Sequence, residues 1–343
     1  MQKSGLRPYL INLILLTGAL VASIAAGPVT IPPGTVLRIF LDGLPGIDLA
    51  IDLPGNFSII LYQIRLPHSI LILLTGAALA ASGTAYQGVF RNPLADPYLI
   101  GVASGAGLGA VAAMTIRWPD GLARLYFIPI AAFIGAVLTV LLVYSLARVR
   151  NSLPTTTLIL AGVAVSAFAT SLTSFLMLRS SQELRRAIGW LLGGSILSGW
   201  EPVLVVLPFL VIGLGALLSG GHALNVLQFG EEQAAQLGLR VEYAKALLLL
   251  AASLTTAAAV AFSGVIGFIG LIVPHLMRLI WGHDYRRLIP LSILGGGSAL
   301  LIADLIARTA LAPQVLPVGI VTALVGAPFF LWVLRKTKDQ TYW

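Results

Sequence analysis

The chain has 343 residues, of which 58% are hydrophobic and only 10% charged, and its mean hydropathy is +0.95. An ordinary soluble domain carries about 25% charged residues, so there is too little polar surface here to coat a water-soluble globule, and a soluble enzyme, a disordered chain and a nucleic-acid binder are excluded. The net charge of +8 then reads as basic loops on the inner side of a bilayer, and the absence of cysteine removes disulfides, thiolate metal sites and thiol nucleophiles.

A spanning helix needs about 20 mostly apolar residues. Ten runs of roughly that kind occur: Leu10–Val29, Pro67–Phe90, Leu99–Ile116, Tyr126–Ala147, Thr157–Leu178, Val203–Ser219, Ala246–Phe262, Gly264–Trp281, Leu291–Thr309 and Leu316–Leu334. They predict an all-α polytopic membrane protein of about ten transmembrane helices, folded as one domain over residues 1–343. With the N-terminus inside, thirteen Lys and Arg fall on cytoplasmic segments and eight on the other side, which satisfies the positive-inside rule and puts both termini in the cytoplasm. The seventh and eighth runs are divided only by Ser263–Gly264, so nine or eleven helices also fit. The first run follows Lys3 and Arg7 and ends in Ala22-Ser-Ile-Ala25-Ala26, the outline of a cleavable secretory signal. It is longer than the roughly 7–15-residue core of such signals, which favours its retention as a first helix.

The connecting segments follow in chain order. Residues 30–63 hold Pro32-Pro33-Gly34, Leu44-Pro45-Gly46 and Leu53-Pro54-Gly55, with acids at Asp42, Asp48 and Asp52. This stretch is too broken to span and too apolar for a solvated tail, and it predicts short interfacial turns on the outer face. The second run closes with small residues, Ala80 to Gly88, and meets Arg91-Asn-Pro-Leu-Ala-Asp-Pro97, where two prolines forbid a continuing helix and predict a bent inner turn. Gly101, Gly105 and Gly109 form a four-residue ladder suited to close helix packing. In the inner loop 220–240, Glu231-Glu232-Gln-Ala234-Ala235-Gln-Leu-Gly238 reads as a short helix with acids at its positive end and glycine as its stop. It is either an amphipathic surface helix or a rod that transmits the motion of a partner. Gly267–Arg278 contains Pro274 and His275; His275 is read as a packing residue, because no second histidine sits at metal-ligand spacing within a run.

What supplies energy is also readable. A phosphate-binding loop needs Gly-Lys followed by Ser or Thr, and none of Lys3, Lys245, Lys336 and Lys338 follows a glycine. An ion-driven carrier is expected to hold carboxylates inside its helices. The runs hold one, Asp304, with Arg308 a helical turn later, and the pair reads as an i,i+4 salt bridge near the outer surface. No catalytic residue, metal site or cofactor is implied. An energy source on another subunit remains.

Taken together, RNPLADP (Arg91–Pro97), EEQAAQLG (Glu231–Gly238), GFIGLIVPHLMR (Gly267–Arg278), GHDYRRLIP (Gly282–Pro290) and LPVGIVTALVGAPFF (Leu316–Phe330) resemble the FecCD-type permeases of ABC importers for iron-siderophores, haem and cobalamin. The resemblance runs from about Gln63 to Leu334. It implies the cobalamin/siderophore importer permease fold in a bacterial inner membrane. Its partners would be a second copy or a paralogous permease, two cytoplasmic ATP-binding subunits and a periplasmic substrate-binding protein. Carried over by position, Glu231, Glu232, Ala235 and Gly238 lie in the loop that seats in the ATPase, and Asn92, Leu94, Thr155 and Thr156 match the cytoplasmic gate. Arg65, His68 and Arg308 match the positions that dock the binding protein; the family's Arg-Leu-Pro-Arg appears here as Arg65-Leu-Pro-His68, and Val315 stands where relatives usually have glutamate.

The implied function is the permease of an ATP-driven importer of a large iron chelate, with ferric siderophore first, haem second and cobalamin third. Arg179, Arg185 and Arg186 would attract an anionic chelate or form a solvated loop. The alternative is a secondary carrier driven by an ion gradient without an ATPase.

Overall fold

The computed structural model describes residues 5–27, 31–42, 56–116, 122–149, 153–179, 183–194 and 197–338, and the regular elements among them are helices. In chain order these are α1 (Arg7–Ala25), α2 (Pro33–Asp42), α3 (Asn56–Ile59), a π-helical segment Ile60–Arg65, α4 (Leu66–Phe90), a 3-10 turn Pro97–Ile100, α5 (Val102–Thr115), α6 (Leu122–Ala147) and α7 (Thr155–Arg179). There follow α8 (Leu184–Leu191), α9 (Glu201–Ser219), α10 (Gly221–Leu227), α11 (Glu231–Gln236), α12 (Val241–Ser263), α13 (Ile269–Trp281), α14 (Tyr285–Thr309) and α15 (Val318–Lys338). Each of the ten apolar runs overlaps one of them. Among the described residues seven helices are long and apolar enough to cross a bilayer, and α5, α13 and the Val318–Val333 part of α15 are shorter apolar helices.

The short ones correct the sequence reading. The third run, expected from Leu99, begins as a 3-10 turn and becomes α-helical only after Gly101, which takes φ +89°. The eighth, expected from Gly264, is irregular until Ile269: Gly264 and Phe268 both have positive φ, +78° and +70°. Apolarity continues through both breaks, so a window of hydropathy has no means of seeing them. Segment 30–63 is likewise not made only of turns, because α2 forms within it; Asp48 and Asp52 lie outside the described residues.

A continuous helix of 34 residues, Phe57–Phe90, runs through the bundle. Its π segment precedes Pro67, which has no N–H for the Gln63 carbonyl, and the widened register is the local answer; Leu66 N reaches back five residues to Leu61 O. From Leu71 onward α4 is almost wholly buried against α14, α12, α13 and α9. Lipid gives helices no hydrophobic reason to associate, so close van der Waals contact between backbones has to do it. A Cβ on Gly76 would run into the Gly296 carbonyl and one on Gly83 into that of Gly270, so these glycines let α14 and α13 touch α4 backbone to backbone. The Gly105 and Gly109 steps of the ladder play the same part between α5 and α6, against Gly135 and Ala131.

Candidate functional site

Two ends of the bundle carry the polar chemistry. At one end α11 is a single rigid turn and a half, capped on both sides by glycine. Gly230 precedes it at φ +107°; beyond it Gly238, at φ +87°, donates to Ala235 O at 3.0 Å while Leu239 N donates to Ala234 O at 3.0 Å. That reciprocal pair is a Schellman closure, which needs a left-handed residue at the glycine. Ala234 is fully buried, whereas Glu232, Ala235 and Gly238 are exposed, so the short helix rests on the bundle by one side and offers the other.

What holds α11 there is Lys245, in the first turns of α12 and 2% exposed. Its Nζ lies 2.9 Å from Glu231 Oε1, 3.5 Å from Glu242 Oε1 and 3.3 Å from the Leu153 carbonyl. Glu242 Oε2 in turn accepts the Leu153 N–H at 3.0 Å. The ammonium thus donates to Glu231 and to the Leu153 carbonyl and has the Glu242 charge beside it. Next to it, α10 is joined to α14: Asn225 donates to Asp284 at 2.6 Å and accepts the Tyr285 N–H at 2.8 Å. Burial works to raise the Asp284 carboxyl, but the bonds from Asn225 and the Arg286 N–H, with the Arg287 and Arg286 charges, overcome it and hold the group below its ordinary value.

The four expected gate residues sit on two elements near this end. Asn92 is exposed and its Oδ1 accepts the Leu94 N–H at 2.9 Å, so it shapes the turn after α4; Leu94 is half-buried. Thr155 and Thr156 open α7, directly after the clamped Leu153, with Thr156 exposed. The turn also brings in Asp96, which the sequence reading left unassigned. Its Oδ1 accepts the Tyr98 N–H at 2.8 Å, and its Oδ2 lies 3.0 Å from where a Cβ on Gly270 would stand, at the start of α13. Burial pushes this carboxyl up to about 6, against the pull of the Tyr98 N–H. The Tyr98 hydroxyl reaches the break before α13, donating to Ile266 O at 2.9 Å and accepting from Ile266 N at 3.2 Å.

At the opposite end, the three expected docking residues converge, but two of them are inside. Arg65 is 5% exposed and donates to Ile24 O at 3.1 Å and Ala25 O at 2.8 Å. Arg308 is 7% exposed and reaches Ser23 O at 3.1 Å, Ser23 Oγ at 2.8 Å and Ala26 O at 3.3 Å. Helix α1 ends with carbonyls that have no helical donor, and the two guanidiniums supply it. Arg308 also pairs with Asp304 at 2.8 Å, the i,i+4 bridge read from the sequence, and the bridge is buried within the bundle. His68 Nε2 lies 2.9 Å from the other Asp304 oxygen, and its side chain is 30% exposed. The carboxylate that an ion-coupled carrier would use is therefore occupied by two neighbours. Of the arginines proposed to draw in an anionic chelate, Arg186 is 3.7 Å from Glu183 and Arg179 lies 6.0 Å over the Phe175 ring.

Sequence reading missed Lys245, Glu242, Asp96 and Gln87. The first signals itself weakly, as a lysine at the start of an apolar run with acids at 231 and 242; the others have no signal without the contact across elements.

A model of the FecCD transport family matches residues 14–336. The cobalamin import system permease protein BtuC of Halobacterium salinarum is 48% identical over 291 residues, 84% of this chain and 77% of that protein. The hemin transport system permease protein HmuU of Yersinia pestis is 42% identical over 285 residues, 81% of this chain and 84% of that one. A solved structure described as an inward-facing ABC transporter of metal-chelate type matches with a TM-score of 0.81 at 31% identity, covering 95% of this chain and 98% of the other. With the helical bundle, its close glycine crossings and the family match over nearly its whole length, the chain is a multi-pass membrane permease belonging to the FecCD transport family.

Proposed function

We propose that this permease works as one membrane domain of an ATP-driven importer for a large metal chelate, paired with a second copy or a paralogue and powered by two cytoplasmic ATP-binding subunits. The observation that carries this reading is α11. It is a short helix stopped by glycine at both ends, exposed along one side, and fixed to the bundle through a buried ammonium. Such a rod can pass on the push of a soluble subunit without bending. In this reading the α11 end faces the cytoplasm together with both termini, in a bacterial inner membrane, and Asn92, Leu94, Thr155 and Thr156 close the path there.

The α1–α4–α14 corner would face the periplasm and receive the binding protein. His68 offers the exposed polar contact, while Arg65 and Arg308 shape the corner from inside. For the cargo, the likeness to a cobalamin permease and a hemin permease brings cobalamin and haem level with the ferric siderophore favoured from sequence.

The experiment is uptake in proteoliposomes holding the permease, its ATPase and its binding protein, with labelled cyanocobalamin, haemin and a ferric hydroxamate offered separately. Uptake of one of them with ATP inside or outside, according to orientation, is the expected result. Uptake driven by a proton or sodium gradient with no ATPase present would overturn it in favour of a secondary carrier.

A further inference from the structure

We propose that Lys245 is the positioning residue that joins the ATPase-facing helix α11 to the gate-bearing start of α7, so that the two move as one body. The proposal rests on the reading of α11 and of Thr155 and Thr156 given above, and adds to it the part that connects them.

The two elements are far apart in sequence, and a single side chain meets both. Lys245 Nζ touches Glu231, the first residue of α11, at 2.9 Å, and the carbonyl of Leu153, two residues before Thr155, at 3.3 Å. Leu153 is held from both sides of its own backbone, because its N–H goes to Glu242 at 3.0 Å, and Glu242 and Lys245 share one turn of α12. Leu153 is itself buried, and Pro154 follows it, which fixes one backbone angle between the clamped residue and the helix. A displacement of α11 therefore pulls on the ammonium, and the ammonium pulls on the peptide that starts α7.

The charges suit a link more than mere filling. The Lys245 side chain is 3% exposed, whereas those of Glu231 and Glu242 are 43% and 39% exposed. A lysine is placed out of water at a cost that only paired acceptors offset, and an apolar residue would fill the space more cheaply. The carboxylates keep enough water to lose the lysine without being stranded. Replacing it should thus disconnect two elements and leave each of them folded.

The chain has no cysteine, so labels can be placed singly. Spin labels at Gln233→Cys on the exposed side of α11 and Leu160→Cys on the exposed side of α7 report the distance between them by pulsed electron resonance. In the purified permease–ATPase complex, the parent should give one narrow distance that is the same with and without nucleotide. In Lys245→Met the distribution should broaden or shift with nucleotide, ATP hydrolysis should continue, and chelate moved per ATP should fall about fivefold or more. Lys245→Arg, which keeps the charge, should recover most of the coupling.

An unchanged distance and unchanged transport per ATP in Lys245→Met would overturn the proposal. So would loss of the ATPase from Lys245→Met with the α11–α7 distance unaltered, which would make the lysine a support of α11 alone. Should Lys245→Met fail to insert, Glu231→Ala carries the same readouts, since it removes the α11 partner of the ammonium at a half-exposed position and leaves Glu242 and the Leu153 carbonyl to hold the lysine. The distance is also measured on the permease without ATPase. If the parent shows no ATP-driven uptake, the importer reading fails, while this distance still decides whether Lys245 ties α11 to α7.

Discussion

Gln87 supplies the hydrogen bond that Pro274 takes away. A helix would satisfy the Gly270 carbonyl with the N–H four residues on, which is a proline nitrogen, and Gln87 Nε2 from α4 stands 3.2 Å from that oxygen instead. The same nitrogen lies 3.3 Å from Leu271 O, and Arg278 Nη2 donates to Gln87 Oε1 at 2.8 Å, one turn beyond the proline. The amide is buried, 2% exposed, so nothing in the membrane replaces it.

Gln87→Leu should lower stability by about 1–3 kcal/mol, because it leaves the buried Gly270 carbonyl without its donor and takes one acceptor from Arg278. Pro274→Ala restores an N–H for Gly270 and should be less damaging in the Gln87→Leu background than in the parent. Thermal unfolding in detergent of the two single variants and the double variant measures this. Strict additivity would show that the two residues do not serve one carbonyl.

Arg308→Leu should cost about 3–5 kcal/mol, since it leaves Asp304 buried with only His68 and takes from the end of α1 the donor to the Ser23 and Ala26 carbonyls. Removing both charges, Arg308→Leu with Asp304→Asn, should cost less than the single change. Protease sensitivity at residues 26–31 and thermal unfolding report on both. If the double variant is as damaged as the single, the loss comes from α1 and not from the stranded carboxylate.

Gly238→Val should insert normally and either lose the ATPase or hydrolyse ATP without transport. A Cβ there meets nothing within 4 Å, so the cost is purely that of holding a branched residue at φ +87°, roughly 1–2 kcal/mol. Gly238→Asn, which tolerates the left-handed region, should stay coupled. ATPase capture and uptake measured on the same vesicles separate the outcomes; full uptake with valine would mean that α11 does not need its stop.

Asp96 predicts a pH dependence of definite sign. Its carboxyl ionises at about 6 when folded against an ordinary 3.8, so the folded state holds the proton more tightly. That contribution is complete below about 3.8 and is lost as the pH rises through about 6. The unfolding temperature of the parent should therefore fall across this window relative to Asp96→Asn, whose difference from the parent should be constant outside it. Parallel profiles for the two proteins would place Asp96 in water.

The sequence by itself determined the solvent, the ten apolar helices and the absence of a phosphate-binding loop, because each depends on composition or on spacing along one segment. It also determined the stop at Gly238 and the Arg308–Asp304 pair, both local within a turn of helix. Sequence alone was blind to depth. Arg65 and Arg308 read as docking cations on the outer face, and in the structure both are turned inward, because the end of α1 presents carbonyls that need donors. Likewise the breaks after Ile100 and before Ile269 are set by left-handed residues inside an apolar stretch, and at the second the Tyr98 hydroxyl, arriving from another element, bonds both the N–H and the carbonyl of Ile266. Lys245 completes the case: its partners lie at 153, 231 and 242, and no pattern along the chain reveals that three such groups share one ammonium until the helices are packed.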